Sequence, residues 1–222
     1  MFARIAGRYD LMNTLMSGGR HHAWRRAVAR EVAAAPPGPV LDLATGTADL
    51  ALAIRAHAPQ RLVVGVDFSE AMLRYARRKV ARRGVRGVVL LAADALSLPF
   101  ADGVFACVAS AFLLRNLEDL AQGLAEMRRV TRPGGRVVTF DIVWPAPAWW
   151  RRLFGFYFAR LVPVLGGLVT GDRAAYRYLP ASVDRVPDPV TLARLMEAAG
   201  LGPVTFRTFG LGTVALHVAR VG

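Results

Sequence analysis

Short apolar runs alternating with amphipathic helical stretches set the tightest limit on what this chain can become. Val40–Leu43, Leu62–Val66, Val88–Ala92, Val104–Phe112 and Arg136–Ile142 read as strands. Between them, Asp49–His57, Ser69–Arg83 and Leu117–Val130 carry helical spacing, the last stopped by Arg132-Pro133-Gly134-Gly135. In Ser69–Arg83 the apolar side is Met72, Leu73, Ala76 and Val80, while Arg74, Arg78 and Arg82 recur at i+4 on another side. Strands that alternate with helices imply an α/β fold, a parallel sheet covered by helices on both faces. Right-handed crossovers then leave few topologies. Pro189–Ala199 reads as one more helix, closed by Gly200, and Val204–Phe209 and Val214–Val221 as an antiparallel pair at one edge. The expectation is a mostly parallel, seven-stranded sheet with an antiparallel C-terminal edge.

The turn after the first of these strands carries the chemistry. In VLDLATGTADLALAI, residues 40 to 54, Gly46 can take a positive φ, and its missing side chain lets a ligand approach the backbone. Ligands of open parallel sheets bind at such carboxyl ends. One glycine is too few for the dinucleotide fingerprint, and no P-loop Lys-Ser/Thr follows, so a pyrophosphate cradle is disfavoured. Asp67 ends the second strand 21 residues after Gly46, where a carboxylate can accept two hydrogen bonds from a ribose diol. Asp94-Ala95 follow the third strand, placed to read an adenine edge. A ribose clamp and a base reader without a phosphate site suit an adenosyl ligand such as S-adenosylmethionine. Asp42 and Asp49 beside the turn suit its cationic sulfonium and amino groups.

With 222 residues, 54% of them hydrophobic and 20% charged, the chain is globular, and a single domain over residues 1–222 is the simplest organisation. A lone cysteine, Cys107, excludes an internal disulfide and a thiolate metal cluster, and its apolar setting in FACVASAF reads as a buried structural thiol. His21 and His22 in RHHAWRR read as solvated residues; no ligand spacing accompanies them, so no metal is expected. The net charge is +13, from 29 basic and 16 acidic residues, and Lys79 is the one lysine. That balance suits nucleic acid, anionic lipid or an acidic partner without choosing among them. No signal peptide is visible, and no transmembrane helix is expected, because Arg151, Arg152 and Arg160 interrupt the most apolar stretch, residues 144–171, and Pro163 breaks it. Trp149 to Tyr157 mixes aromatics with arginine, a composition that sits well at a lipid interface.

DLATGTADLA, GVDFSEAML, AADALSLPF and RVTRPGGR, in that order, resemble the motifs of class I S-adenosylmethionine-dependent methyltransferases. RYDLMNTLMSGGRHHAWRR, AFLLRNLED and GDRAAYRYLPASV are similar to the menaquinone and ubiquinone biosynthesis C-methyltransferases, and the resemblance runs from Phe2 nearly to the C-terminus. It implies a Rossmann-like fold with S-adenosyl-L-methionine as cofactor. It places Gly46, Thr47, Asp67, Phe68, Asp94, Ala95 and Ser110 at the cofactor, with Asp42 and Asp49 at the turn. Arg115 and Asn116 would be catalytic at the quinone end. Tyr9, Phe112, Leu113, Asp141, Tyr176 and Tyr178 would line the substrate pocket, with Tyr9 and Asp10 closing over the cofactor. Residues 1–35 would form capping helices and about 145–182 a quinone-pocket insertion. Three positions depart from the family pattern. Ala48 stands where the family has Gly, a change the sequence tolerates if φ there is helical. Leu113 also replaces a Gly and is expected to reshape the quinone pocket. Asp141 replaces a Glu and reaches about one methylene less far.

The expected activity is C-methylation of a demethylated isoprenoid quinol, by a cytoplasmic protein in peripheral contact with a membrane. A homo-oligomer stays open. Three rivals deserve weighing. An RNA or DNA methyltransferase would want an Asn/Asp-Pro-Pro-aromatic motif where the chain has Ala111-Phe112-Leu113-Leu114, or a nucleophilic Cys at the site, so nucleic acid is not expected. A non-catalytic module holding S-adenosylmethionine or a lipid is disfavoured by Arg115-Asn116. A nicotinamide oxidoreductase is disfavoured by the single glycine.

Overall fold

The computed structural model describes residues 8–170 and 181–222. Seven strands form one sheet in the order β3-β2-β1-β4-β5-β7-β6. They are β1 (Val40–Leu43), β2 (Val63–Asp67), β3 (Val88–Ala92), β4 (Phe105–Ala111), β5 (Thr131–Ile142), β6 (Leu201–Phe209) and β7 (Val214–Val221). β1 to β5 run parallel, and β7 pairs antiparallel with both β5 and β6, as expected. The chain order reverses between β1 and β4. That reversal leaves a crevice at the strand ends where the two halves of the sheet diverge.

Helices cover both faces. Residues of β1, β4 and β5 alternate between them, because successive side chains of a strand point to opposite sides. One face buries Leu41, Leu43, Phe105, Val108 and Val137 against Leu124 and Met127 of α5 (Leu120–Val130) and Leu192 and Met196 of α8 (Pro189–Ala198). The other buries Val40, Cys107, Ala109, Val138 and Phe140 against Val28, Ala29 and Val32 of α2 (His21–Ala33) and Leu50, Ala51 and Ile54 of α3 (Asp49–His57). Each large side chain among these contributes roughly 1.5–3 kcal/mol. Cys107 is fully buried, and burial pushes its thiol up to about 12, which suits a packing role. Short polar side chains fix the helix starts. Ser69 accepts from Met72 N at the start of α4 (Glu70–Arg82), and Asp119 accepts from Gln122 N at α5. The Asp119 cap explains why α5 begins at Leu120 rather than at Leu117; Leu114–Asn116 upstream forms a separate 3₁₀ turn.

A third, smaller core lies off the sheet. Met12 of α1 (Tyr9–Ser17) packs with Phe154 of α6 (Ala148–Phe156), Phe158, Val162 at the start of α7 (Val162–Thr170), and Val183. The expected break at Pro163 is absent. A π-helical turn, Tyr157–Leu161, joins α6 to α7, and the helix runs on from Ala148 to Val169. A widened i→i+5 turn accommodates a proline that lacks an N–H and crowds the preceding turn. The resulting 22-residue helix is long and apolar enough to span a membrane by length and composition.

Candidate active site

The turn between β1 and α3 is strained. Ala44, Gly46 and Ala48 have φ of 59°, 56° and 65°. The structure therefore corrects the expectation of a helical φ at Ala48: the methyl is held in the left-handed region, where the family's Gly sits without penalty and an Ala costs roughly 1–2 kcal/mol. Three groups over-determine the turn. Thr45 N donates to Val66 O at 2.8 Å. Thr45 Oγ1 donates to Asp42 at 2.6 Å. Gly46 N donates to Asp67 Oδ2 at 2.8 Å. A Cβ on Gly65 would come within 2.8 Å of Thr45 Oγ1, so the strand beside the turn needs glycine there, a requirement the sequence reading missed.

Asp67 also accepts from Ser69 N at 2.8 Å, so each carboxylate oxygen already takes one backbone N–H and keeps a further lone pair for a ligand hydroxyl. Burial raises its pKa, partly offset by these two donors. Asp67, Phe68, Asp94, Ala95 and Gly46 line a cavity of about 380 Å³ at the ends of β1, β2 and β3. Asp94 lies on its exposed rim and accepts from Leu96 N at 2.9 Å. The Phe68 ring is 84% exposed, a free apolar face at the mouth. Ser110, at the end of β4, is buried, and its Oγ has no hydrogen-bond partner among the described residues.

Asp42, Thr47, Asp49 and Ser110 do not line this cavity. Asp42 lies beneath the turn, where burial pushes its carboxyl up to about 7. Thr47 donates to Asp10 Oδ1 at 2.7 Å. Asp49 pairs with Lys79 at 2.7 Å and Arg25 at 3.1 Å; burial works to raise its pKa, but these two cations outweigh it and hold it below the ordinary value.

A second cavity, about 620 Å³ and largely apolar, lies between α1, α2, α6 and the ends of β4, β5 and β7. Met16, Trp24, Phe154 and Phe158 wall it, and His21 and Arg115 bring polarity. Phe112 lines both cavities. Its φ is 65°, its ring meets Phe140 edge-on at 5.4 Å, and the Arg115 guanidinium stands 5.2 Å from its centroid. Arg115 Nη1 donates to Asp141 Oδ1 at 2.6 Å, with side chains only 6% and 1% exposed. Asp141 thus stands behind Arg115 rather than in the cavity wall, and the shorter side chain still reaches its partner. Asn116 opens toward the first cavity and donates from Nδ2 to Phe112 O at 3.0 Å, bracing the left-handed residue.

Leu113 was expected in the quinone pocket. It lines the smaller cavity instead and packs into the sheet core, with φ −94°, so no glycine conformation is required there. Tyr9 begins α1. Tyr176 and Tyr178 lie outside the described residues. His21, read as solvated, is buried against the second cavity: Arg25 donates to its Nδ1, and its Nε2 lies 3.0 Å from Thr14 Oγ1. The i+4 spacing of His21 and Arg25 was the available signal.

The model of the ubiE/COQ5 methyltransferase family matches residues 1–220. A demethylmenaquinone methyltransferase of Thermus thermophilus is 45% identical over 218 residues, covering 98% of both chains. One of Deinococcus radiodurans is 46% identical, covering 98% of this chain and 90% of its own. Among solved structures, a SAM dependent methyltransferase from Aquifex aeolicus superposes with a TM-score of 0.66 over 95% of this chain and 96% of that one; at 19% identity it speaks for the Rossmann-like fold alone. With the family match spanning nearly its full length, the chain belongs to the ubiE/COQ5 methyltransferase family.

Proposed function

We propose that this chain transfers the methyl group of S-adenosylmethionine to a ring carbon of a demethylated isoprenoid quinol, with demethylmenaquinol the favoured acceptor. The observation that carries the reading is the meeting of two unlike cavities at Phe112, one lined by carboxylates and the other apolar. S-adenosylmethionine supplies an electrophilic methyl on a sulfonium. Asp67 would accept the ribose diol, and Asp94 and Ala95 would face the base.

On the acceptor side, Arg115 is a buried cation in the mostly apolar wall, fixed by Asp141, while Arg20 lines the same cavity from its exposed side. A quinol hydroxyl gives up its proton to water, and the guanidinium stabilises the phenolate in a low-dielectric site, where preorganised charge acts most strongly. Electron density moves onto the neighbouring ring carbon. The new C–C bond forms as the S–CH₃ bond breaks and S-adenosylhomocysteine leaves; the carbon then releases its proton to water and the ring oxygen is reprotonated, which restores the aromatic quinol. The protein aligns and excludes water, which supplies up to about 7–11 kcal/mol in good cases.

The names of the Thermus and Deinococcus relatives favour the naphthoquinol acceptor. Membrane contact belongs to the same proposal. Trp149, Leu153, Phe156 and Leu168 are 71%, 53%, 58% and 78% exposed on the long helix that also walls the acceptor cavity. Arg151, Arg152 and Arg160 stand exposed on it. An amphipathic surface with cations suits an anionic bilayer holding the isoprenoid tail. In this reading the chain works as one domain, with α1 and α2 as its cap and the α6–α7 helix as the insertion that receives the acceptor. The test offers demethylated naphthoquinol and benzoquinol side by side with methyl-labelled S-adenosylmethionine. Label on a naphthoquinol ring carbon is expected; label on neither quinol, with the cofactor bound, would overturn the assignment.

A further inference from the structure

Lys79 is the one lysine among 29 basic residues. On α4 it points back over the cofactor turn, and its side chain is only 17% exposed. Its ammonium reaches Asp49 Oδ1 at 2.7 Å, Thr47 Oγ1 at 3.1 Å and Asp10 Oδ2 on α1. Three acceptors for three N–H donors complete an ammonium. A planar guanidinium does not direct three divergent donors from one centre, which gives a physical reason for lysine in a chain that otherwise uses arginine.

These contacts close a ring. Asp10 joins Lys79, Lys79 joins Asp49, and Asp49 joins Arg25 at 3.1 Å. Arg25 donates to His21, His21 meets Thr14 at 3.0 Å, and Thr14 Oγ1 donates to Asp10 O at 2.9 Å. The ring passes through α1, α2, α3 and α4, and its acidic and basic members balance two against two. On one side it grips the turn at Thr47 and Asp49. On the other, α1 supplies Asn13, Leu15, Met16 and Ser17 to the wall of the apolar cavity.

We propose that Lys79 is a positioning residue for the methyl transfer: it latches α1 to the cofactor turn and so keeps the acceptor cavity closed on the α1 side. The latch couples the two cavities mechanically, since the turn that would hold the cofactor is also the anchor of the acceptor wall. The inference rests on the methyltransferase reading only for the identity of the two ligands.

The single lysine makes the test selective. In the full chain an amine-acetylating reagent has two targets, Lys79 and the N-terminal amine, which serves as the internal reference. Asp10→Asn removes one charge of the latch and is expected to speed Lys79 acetylation about threefold to fivefold, the range open to a partly exposed ion pair. In Lys79→Met the quinol KM is expected to rise about tenfold while S-adenosylhomocysteine affinity stays within about threefold, a split that general loss of structure would not give. Lys79→Arg should recover only part of that KM. Unchanged acetylation in Asp10→Asn, or a quinol KM within about twofold of wild type in both Lys79→Met and Asp10→Asn, would overturn the latch. Failure of the wild-type protein to bind S-adenosylhomocysteine would count against the functional reading instead, and the acetylation comparison would still decide the latch.

Discussion

The two cavities are built in opposite ways. The smaller one gathers its polar groups from consecutive strand–turn units, Gly46, Asp67 and Asp94, each at the end of its own strand. The larger one draws on four distant parts of the chain, around Met16 to Trp24, Phe112 to Arg115, Ile142 to Phe158, and Gly210 to Val214. A cavity made by turns is written locally, because each turn needs its own residue types. A cavity made by packing depends on how helices settle against one another, and no short stretch records that.

The largest expected effect falls where the two meet. Arg115→Met leaves Asp141 buried without its charge partner, which should cost about 3–5 kcal/mol of stability and lower kcat about 10²–10³-fold. The double variant Arg115→Met/Asp141→Leu should recover most of the stability in denaturant titration but none of the turnover. Turnover within about tenfold of wild type would remove Arg115 from the chemistry.

On the cofactor side alone, Asp67→Ala should weaken S-adenosylhomocysteine at least about 100-fold by calorimetry, since hydrogen bonds to a charged group contribute roughly 1.5–3 kcal/mol each. Quinol binding, measured separately, should change far less. A matching loss on both sides would break the contrast between the cavities.

Stability against pH sharpens it further, because one buried group on each side titrates in the opposite sense. Burial, helped by Arg25, lowers His21 from 6.5 to about 4. It is neutral in the fold, so its contribution is full above pH 6.5 and is lost as pH falls toward about 4. Burial raises Asp42 from 3.8 to about 7, so its contribution is present below 3.8 and is lost as pH rises through about 7. Urea unfolding at about pH 5 and pH 7 should show His21→Gln losing stability more steeply as pH rises, and Asp42→Asn gaining it. The smallest effect is local: Ala48→Gly removes roughly 1–2 kcal/mol of left-handed strain but adds roughly 0.5–1 kcal/mol of backbone entropy cost, so the net gain should be about 1 kcal/mol or less and Tm should rise by no more than about 2–4 °C.

The same contrast explains what the sequence could tell. The seven strands, the parallel sheet and its antiparallel edge were legible because apolar runs and helical spacing are short-range patterns, while the strand order is a long-range matter. The place of Asp67 at the cavity was legible because it ends its strand at a fixed distance from the glycine turn. The strain at Ala44, Ala48 and Phe112 was not, since none of these residues is glycine and their φ values are imposed by neighbours. Leu113 lines the smaller cavity and not the larger one, a placement set by the 3₁₀ turn that follows it rather than by its own residue type. The helix through Pro163 was missed because a π-turn has no sequence signature. Lys79 and Asp10, 69 residues apart, meet only after four helices have packed.

A ternary crystal structure with S-adenosylhomocysteine and a demethylmenaquinol analogue tests the central claim most directly. The account predicts the ribose diol on Asp67, the quinol ring among Met16, Trp24 and Phe154 with a hydroxyl facing Arg115, and the cofactor sulfur across Phe112 from that ring. A quinol seated elsewhere, such as the open groove between Trp144 and Leu211, would contradict it.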